Sequence, residues 1–165
     1  MRGCAELLLE LNTYDEHWRI EAKEMSRTLG KTTTQTISAF SNEPGIEGGY
    51  LLLGVSRDPA SGNYRVIGVH DPDKLQREVA SLCASAFNRP LRPNVQVCMV
   101  DEKPTIVVYI PEEEPHNKPI YIKAQGLPRG AYRRIGSTAQ RCTDEDIRMF
   151  HTSAERRTFD ESVIP

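Results

Sequence analysis

No apolar run in this 165-residue sequence approaches the ~18 residues that a membrane helix needs, so no membrane partner is expected. The opening "MRGCAELLLELN" has too short an apolar stretch for a secretory signal and carries two glutamates, which makes the cytoplasm the expected compartment. There is no Cys-x-x-Cys pair. Cys4, Cys83, Cys98 and Cys142 are scattered, as are His17, His70, His116 and His151, so neither a local zinc motif nor a disulfide framework is expected. The expectation is free, partly buried thiols. Repeats and low-complexity segments are also missing.

One lack is local. Residues 118–141, "KPIYIKAQGLPRGAYRRIGSTAQR", hold six basic side chains and no acid, although the chain as a whole has a net charge of -2. Acids crowd both flanks, in "PEEEP" and "TDEDI". Such a run can serve an anionic partner even in a mildly acidic protein.

The hydrophobic content of 38% is enough for one core. A first helix is expected from Cys4 to Leu11. "WRIEAK" alternates, with Trp18, Ile20 and Ala22 facing inward as a short half-buried strand. A Thr-rich helix follows from Lys31, although threonine is a weak helix former. "YLLLGV" reads as a buried strand and "YRVIGV" as its hairpin partner across the turn "SRDPASGN". Asp71 opens the clearest helix, with an apolar stripe of Leu75, Val79, Leu82, Cys83, Ala86 and Phe87. "NVQVCMV" and "TIVVYI" are strands around "DEKP", and "PIYIKA" is a further short one. Thr143 and Asp146 have the spacing of a capping pair for a last helix to about Ala154. The order predicts an α+β fold, a mainly antiparallel or mixed sheet packed with three to four helices. Residues 1–154 form the expected domain, and polar residues 155–165 a linker toward a further C-terminal region.

Two glycine-rich stretches invite a phosphate-loop reading. "MSRTLGKT" ends like a P-loop, but Met25 stands where the first glycine must let the backbone wrap a phosphate. The alternative is a helix opening at Gly30-Lys31-Thr32, with hydroxyls as caps. "FSNEPGIEGGYLLLGVSRD" places its glycines after a helix and before a strand. A dinucleotide fingerprint needs the reverse order, so that helix N-terminal amides face the phosphate.

Together "RIEAKE", "TISAFSNEPGIEGGYLLLGVSRD", "VIGV", "PNV", "IVVYIPEEEPHNKPIYIK" and "AYRRIGSTAQRCTDEDI" resemble, in order and content, a Schlafen/AlbA-like domain from about Glu16 to Met149. Such domains are found N-terminally in proteins labelled RecG-related ATP-dependent DNA helicases or transcriptional regulators. "YRRIGS" resembles the family's Tyr-x-Arg-x-Gly-Ser. Two departures stand out: "EPGIE" lengthens the Asn-to-Gly-Gly link, and Ser56 occupies a position where an acid is common.

The resemblance implies nucleic-acid binding, and DNA is the partner expected ahead of RNA. The residues themselves support it, because Lys118, Lys123, Arg129, Arg133, Arg134 and Arg141 could contact phosphates, with Tyr121 and Tyr132 interleaved as stacking faces. Charge reversal at Arg133 and Arg134 would then abolish binding. The competing view is a solvated face balanced by the flanking acids.

The resemblance also implies a second possibility, the metal-dependent ribonuclease of the vertebrate Schlafens. Glu16, Glu21 and Asp58 match its acidic triad by position and would hold Mg²⁺ or Mn²⁺, with Lys23 stabilising the phosphorane. Otherwise no cofactor is expected, and ATP would enter only through a further C-terminal region. Against this, Glu21–Lys23 could be a surface ion pair and Asp58 a turn residue. A third possibility is a homodimerising interaction module that uses "NVQVCMV" or "TIVVYI" as a pairing edge.

Overall fold

The computed structural model describes the backbone of residues 1–25 and 29–163, and side chains within these up to residue 156. Residues 26–28 of the P-loop-like "MSRTLGKT" lie outside the described residues. Thirteen elements run α1 (Cys4–Thr13), β1 (Ile20–Lys23), α2 (Lys31–Asn42), β2 (Gly49–Leu53), β3 (Val55–Arg57), β4 (Tyr64–Val66), α3 (Pro72–Ser85), β5 (Asn94–Val100), β6 (Lys103–Ile110), a 3₁₀ turn (Pro115–Asn117), β7 (Tyr132–Ile135), β8 (Thr138–Arg141) and α4 (Asp144–Val163). The fold is α+β, as the element order predicts. Among the described residues no helix is long and apolar enough to cross a membrane.

The main sheet has the order β1-β2-β6-β5. β1 runs parallel to β2, while β2–β6 and β6–β5 are antiparallel. Both faces of the sheet are covered, which explains why β2 reads as an unbroken apolar run. Leu51 and Leu53 face one core with Ile37 and Phe40 of α2, Leu75, Val79 and Cys83 of α3, and Ile106, Val108 and Ile110 of β6. Tyr50 and Leu52 face the other, with Cys4, Leu7 and Leu11 of α1, Val55, Val66 and Val107. Gly49 is forced by close approach, since a Cβ there would strike the Phe40 ring. Gly54, at φ +92°, ends β2 and turns the chain into the β3–β4 hairpin, a conformation that glycine adopts without strain.

The Thr-rich α2 is held by tertiary contacts rather than propensity. Thr33, Thr36, Ser38, Ser41 and Asn42 are all buried, and their polar atoms have partners. Ser38 Oγ donates to Ile120 O (2.8 Å) and accepts from Tyr132 N (3.1 Å). Asn42 Nδ2 donates to Ile120 O (2.9 Å) and Tyr132 O (3.0 Å), and Asn42 Oδ1 accepts from Ile120 N (2.7 Å). A polar seam thus fastens the basic segment to the last turns of α2.

Several expectations need correction. "PIYIKA" forms only isolated bridges, Phe87↔Ile122 and Tyr121↔Ala131, because the backbone of Ile120 and Tyr121 bonds the Asn42 and Asn88 side chains instead of a neighbouring strand. Trp18 is 43% exposed rather than core, since the strand, and with it the alternation, begins only at Ile20. No hydroxyl caps α2, whose N-cap is Gly30. α4 continues past Ala154 to Val163, so most of the expected linker is helical. Its capping pair forms: Asp146 N donates to Thr143 Oγ1 (3.1 Å) and Thr143 N to Asp146 Oδ2 (2.9 Å).

Cys4 and Cys98 form a disulfide tying α1 to β5 across a separation of 94 residues, which overturns the expectation of free thiols for these two. Cys83 and Cys142 are free and buried. Burial pushes their thiols up, to about 11 and about 12 respectively.

Two outcomes follow. Asn42→Ala strands several buried donors and acceptors and should cost about 3 kcal/mol in urea unfolding, against under about 1 kcal/mol for the exposed Asn12→Ala. Iodoacetamide at pH 8 should leave Cys83 and Cys142 of the native protein unmodified, because neither presents thiolate, while denatured protein should be labelled at both, as mass spectrometry would read.

Candidate nucleic-acid interface

The six cations of the basic segment divide into two groups. Arg134 is 1% exposed. Its guanidinium donates to Glu21 Oε1 (2.6 Å) and to three backbone carbonyls, His17 O (2.8 Å), Trp18 O (3.2 Å) and Ile20 O (3.1 Å), and stacks 4.8 Å from the Phe40 ring centroid. Arg133 grips both oxygens of Glu43 through Nε and Nη2 and reaches Asp146 Oδ1 through Nη1 (2.9 Å). Lys118 is buried, with Nζ 2.8 Å from Glu112 Oε2. These three neutralise acids of the fold. Tyr132 is buried too and offers no face to a base. Charge reversal at Arg133 and Arg134 would therefore break the fold before it reported on binding.

Lys123, Arg129 and Arg141 are exposed. None of the three has an ion-pair partner among the described residues. Arg141 has one internal contact, Nε to Tyr132 Oη at 3.4 Å. Tyr121 is half-buried. The view that flanking acids balance the run holds for two cations: "PEEEP" supplies Glu112 to Lys118 and "TDEDI" supplies Asp146 to Arg133, whereas Arg134 pairs with Glu21 of β1.

The acids matched to the nuclease triad do not assemble. Glu21 lies on β1 with Oε1 held by Arg134 and Oε2 by Thr36 Oγ1 (2.6 Å) and Lys23 Nζ (2.9 Å). Burial by itself would raise its pKa. The Thr36 hydrogen bond, together with the charges and hydrogen bonds of Lys23 and Arg134, outweighs burial and holds the carboxyl below its ordinary value. Lys23 also donates to Thr32 Oγ1 (2.9 Å). Asp58 is fully exposed in the β3–β4 turn, accepting from Ala60 N and Ser61 Oγ, each at 3.0 Å. The Ala60 backbone bond, then Ser61, holds its pKa low. Glu16 is exposed beside the β7–β8 turn, close enough that a Cβ on Gly136 would meet its carboxylate. Ser56 donates to Glu24 Oε1 (2.6 Å). Among the described residues no three His, Cys, Asp or Glu side chains converge as a metal site. With the Glu21 oxygens committed to Arg134, Lys23 and Thr36, the triad does not fit Mg²⁺ or Mn²⁺.

A family profile described as Schlafen, AlbA_2 matches residues 16–143. The chain belongs to this Schlafen AlbA_2 family. Among solved structures, it is similar to the N-terminal domain of a protein from Nitrosomonas europaea named as an ATP-dependent DNA helicase RecG-related protein. The two are 52% identical with a TM-score of 0.69, over 87% of this chain and 95% of that one. A protein from Corynebacterium diphtheriae shares the fold at 16% identity, with a TM-score of 0.53, over 91% of this chain and 29% of that one. No curated protein matches. Both Glu21 and Arg134 lie inside the region matched to the Schlafen AlbA_2 profile, and α1 with its Cys4 lies before it.

The partners of Arg133 were missed in the sequence: Glu43 had no assigned role, and Asp146 had one only as a capping residue. For Glu43 the only available signal was its place beside Asn42 at the helix end. Of the two strands considered for self-pairing, β5 lies at the sheet edge and β6 is central.

The Glu21–Arg134 pair makes a pH-dependent prediction. Because the folded pKa of Glu21 is depressed, its contribution is present above the unfolded value of about 4.3 and is lost as pH falls through the folded value. Asp146, depressed despite burial by its Thr143 and Arg133 bonds, adds with the same sign. Urea midpoints should fall below about pH 4. Glu21→Gln should cost about 3 kcal/mol at pH 7 and show a shallower decline toward pH 3.

Proposed function

We propose that this domain binds nucleic acid, DNA in preference to RNA, as one part of a larger helicase-related protein. The observation that carries the reading is that three cations of the basic segment, Lys123, Arg129 and Arg141, are left outside the ion pairs that hold the other three. Each is exposed and without an ion-pair partner among the described residues. An exposed cation released from internal pairing gains by displacing counterions from a phosphate backbone. Kinship with the Nitrosomonas europaea domain supports a role beside a helicase-type region. The acid positions lend no comparable support to hydrolysis, since Glu21 serves Arg134 and Asp58 serves its own turn.

Fluorescence anisotropy with a labelled DNA and an RNA of the same sequence tests this. Three phosphate contacts give a log–log salt slope of about -2 to -3. The triple charge reversal Lys123→Glu, Arg129→Glu, Arg141→Glu should abolish binding in low salt while leaving the thermal midpoint nearly unchanged. Affinity that survives the triple reversal would overturn the assignment.

A further inference from the structure

A cleft of about 520 Å³ opens where the chain after α3, the 3₁₀ turn, the basic segment and α4 meet. Its volume lies within the range of small-ligand sites. Arg89, His116, Tyr121, His151 and Glu155 line it together with Leu127. Leu127 belongs to the same loop as the exposed Lys123 and Arg129, so the cleft adjoins the surface assigned above to phosphates.

The wall chemistry is specific. Arg89 is exposed and has no ion-pair partner among the described residues, so its fork of N–H donors is available to a phosphate. His116 and His151 are exposed and bring two imidazoles from different elements. Tyr121 is held in place because its backbone N–H donates to Asn88 Oδ1 (2.8 Å) and its carbonyl accepts from Asn88 N (3.0 Å). Its half-buried ring packs against the Ala131, Cys142 and Phe150 cluster and lines the cleft. Lys118 also lines the cleft, but its charge is spent on Glu112. A neighbouring cavity of about 260 Å³ shares Arg89 but sets Arg89 and Arg92 against Glu112 and Glu113. None of its lining residues is aromatic, so it offers no face on which a base could stack.

From this juxtaposition of an uncommitted guanidinium, two imidazoles and a fixed tyrosine ring, we infer that the cleft receives one nucleotide of a single-stranded nucleic acid. Arg89 takes the phosphodiester, Tyr121 packs against the base, and the flanking strand runs over Lys123 and Arg129. Base stacking and phosphate contact are the two terms by which single strands are held without sequence reading. The assignment rests on the nucleic-acid reading above and deepens it, because a duplex could not place an unpaired base in such a cleft.

The experiment uses the whole 165-residue chain, isotopically labelled for NMR, with a fluorescein-tagged twelve-residue oligothymidylate and the matching duplex as probes. The expected result is that the single strand shifts the amide signals of Asn88, Arg89, His116, Tyr121 and His151 and binds more tightly than the duplex. Arg89→Ala and His151→Ala, both at exposed positions, should keep the folded spectrum, with Arg89→Ala binding the oligonucleotide about tenfold more weakly. Unchanged affinity in Arg89→Ala, equal affinity for the duplex, or shifts confined to Lys123, Arg129 and Arg141 would overturn the cleft and leave nucleic-acid binding standing. If the wild-type chain binds neither probe, both readings fall.

Discussion

The buried guanidinium of Arg134 is the tie on which the basic segment and the sheet edge both depend. It enters from β7, crosses the end of β1, and satisfies the carbonyls of His17, Trp18 and Ile20, which the short strand leaves without ladder partners. An ion so far from water is tolerable only if its charge is matched and its N–H groups are bonded. Glu21 supplies the charge and the three carbonyls the remaining acceptors. Glu21 must then be ionised, and Thr36 and Lys23 hold it so. Its alternative use as a metal ligand is thereby forfeited.

The same logic recurs along the polar seam. Ser38 and Asn42 project from α2 and bond the backbones of Ile120, which lies in no regular strand, and of Tyr132 at the start of β7, where a neighbouring strand would otherwise do so. One helix end thus replaces a ladder. Arg133 closes the arrangement by joining Glu43, just past α2, to Asp146 in the first turn of α4. The fold uses three of the six cations for its own cohesion and turns the others outward around the loop that borders the cleft. A surface suited to phosphate is what remains after this internal neutralisation.

Much of the fold was legible because its signals are local. Asp71 with Pro72 starts α3, and its side chain accepts from Lys74 N as an N-cap should. Thr143 and Asp146 bond reciprocally at their three-residue spacing. The double-sided burial of β2 shows in its unbroken apolar run. Signals of pairing at a distance were not legible. Cys4 and Cys98 meet because α1 packs on the face of the sheet that carries β5, which no spacing encodes. Trp18 was assigned inward by extending an alternation that begins only at Ile20. "PIYIKA" has the composition of a strand, yet the side chains of Asn42 and Asn88, about eighty and thirty residues away in sequence, claim its backbone.

The sequence by itself determined the α+β class, the family and the presence of a basic run between acidic flanks. The tertiary structure alone decided which of those charges are taken into ion pairs and which face solvent. Arg133 and Arg134 are adjacent and chemically identical to the exposed arginines, and no local pattern separates them. Glu43, which pairs with Arg133, and Glu21, which pairs with Arg134, lie 90 and 113 residues away. The cost of burying a charge is set by what surrounds it in space, and that neighbourhood exists only once the chain has folded.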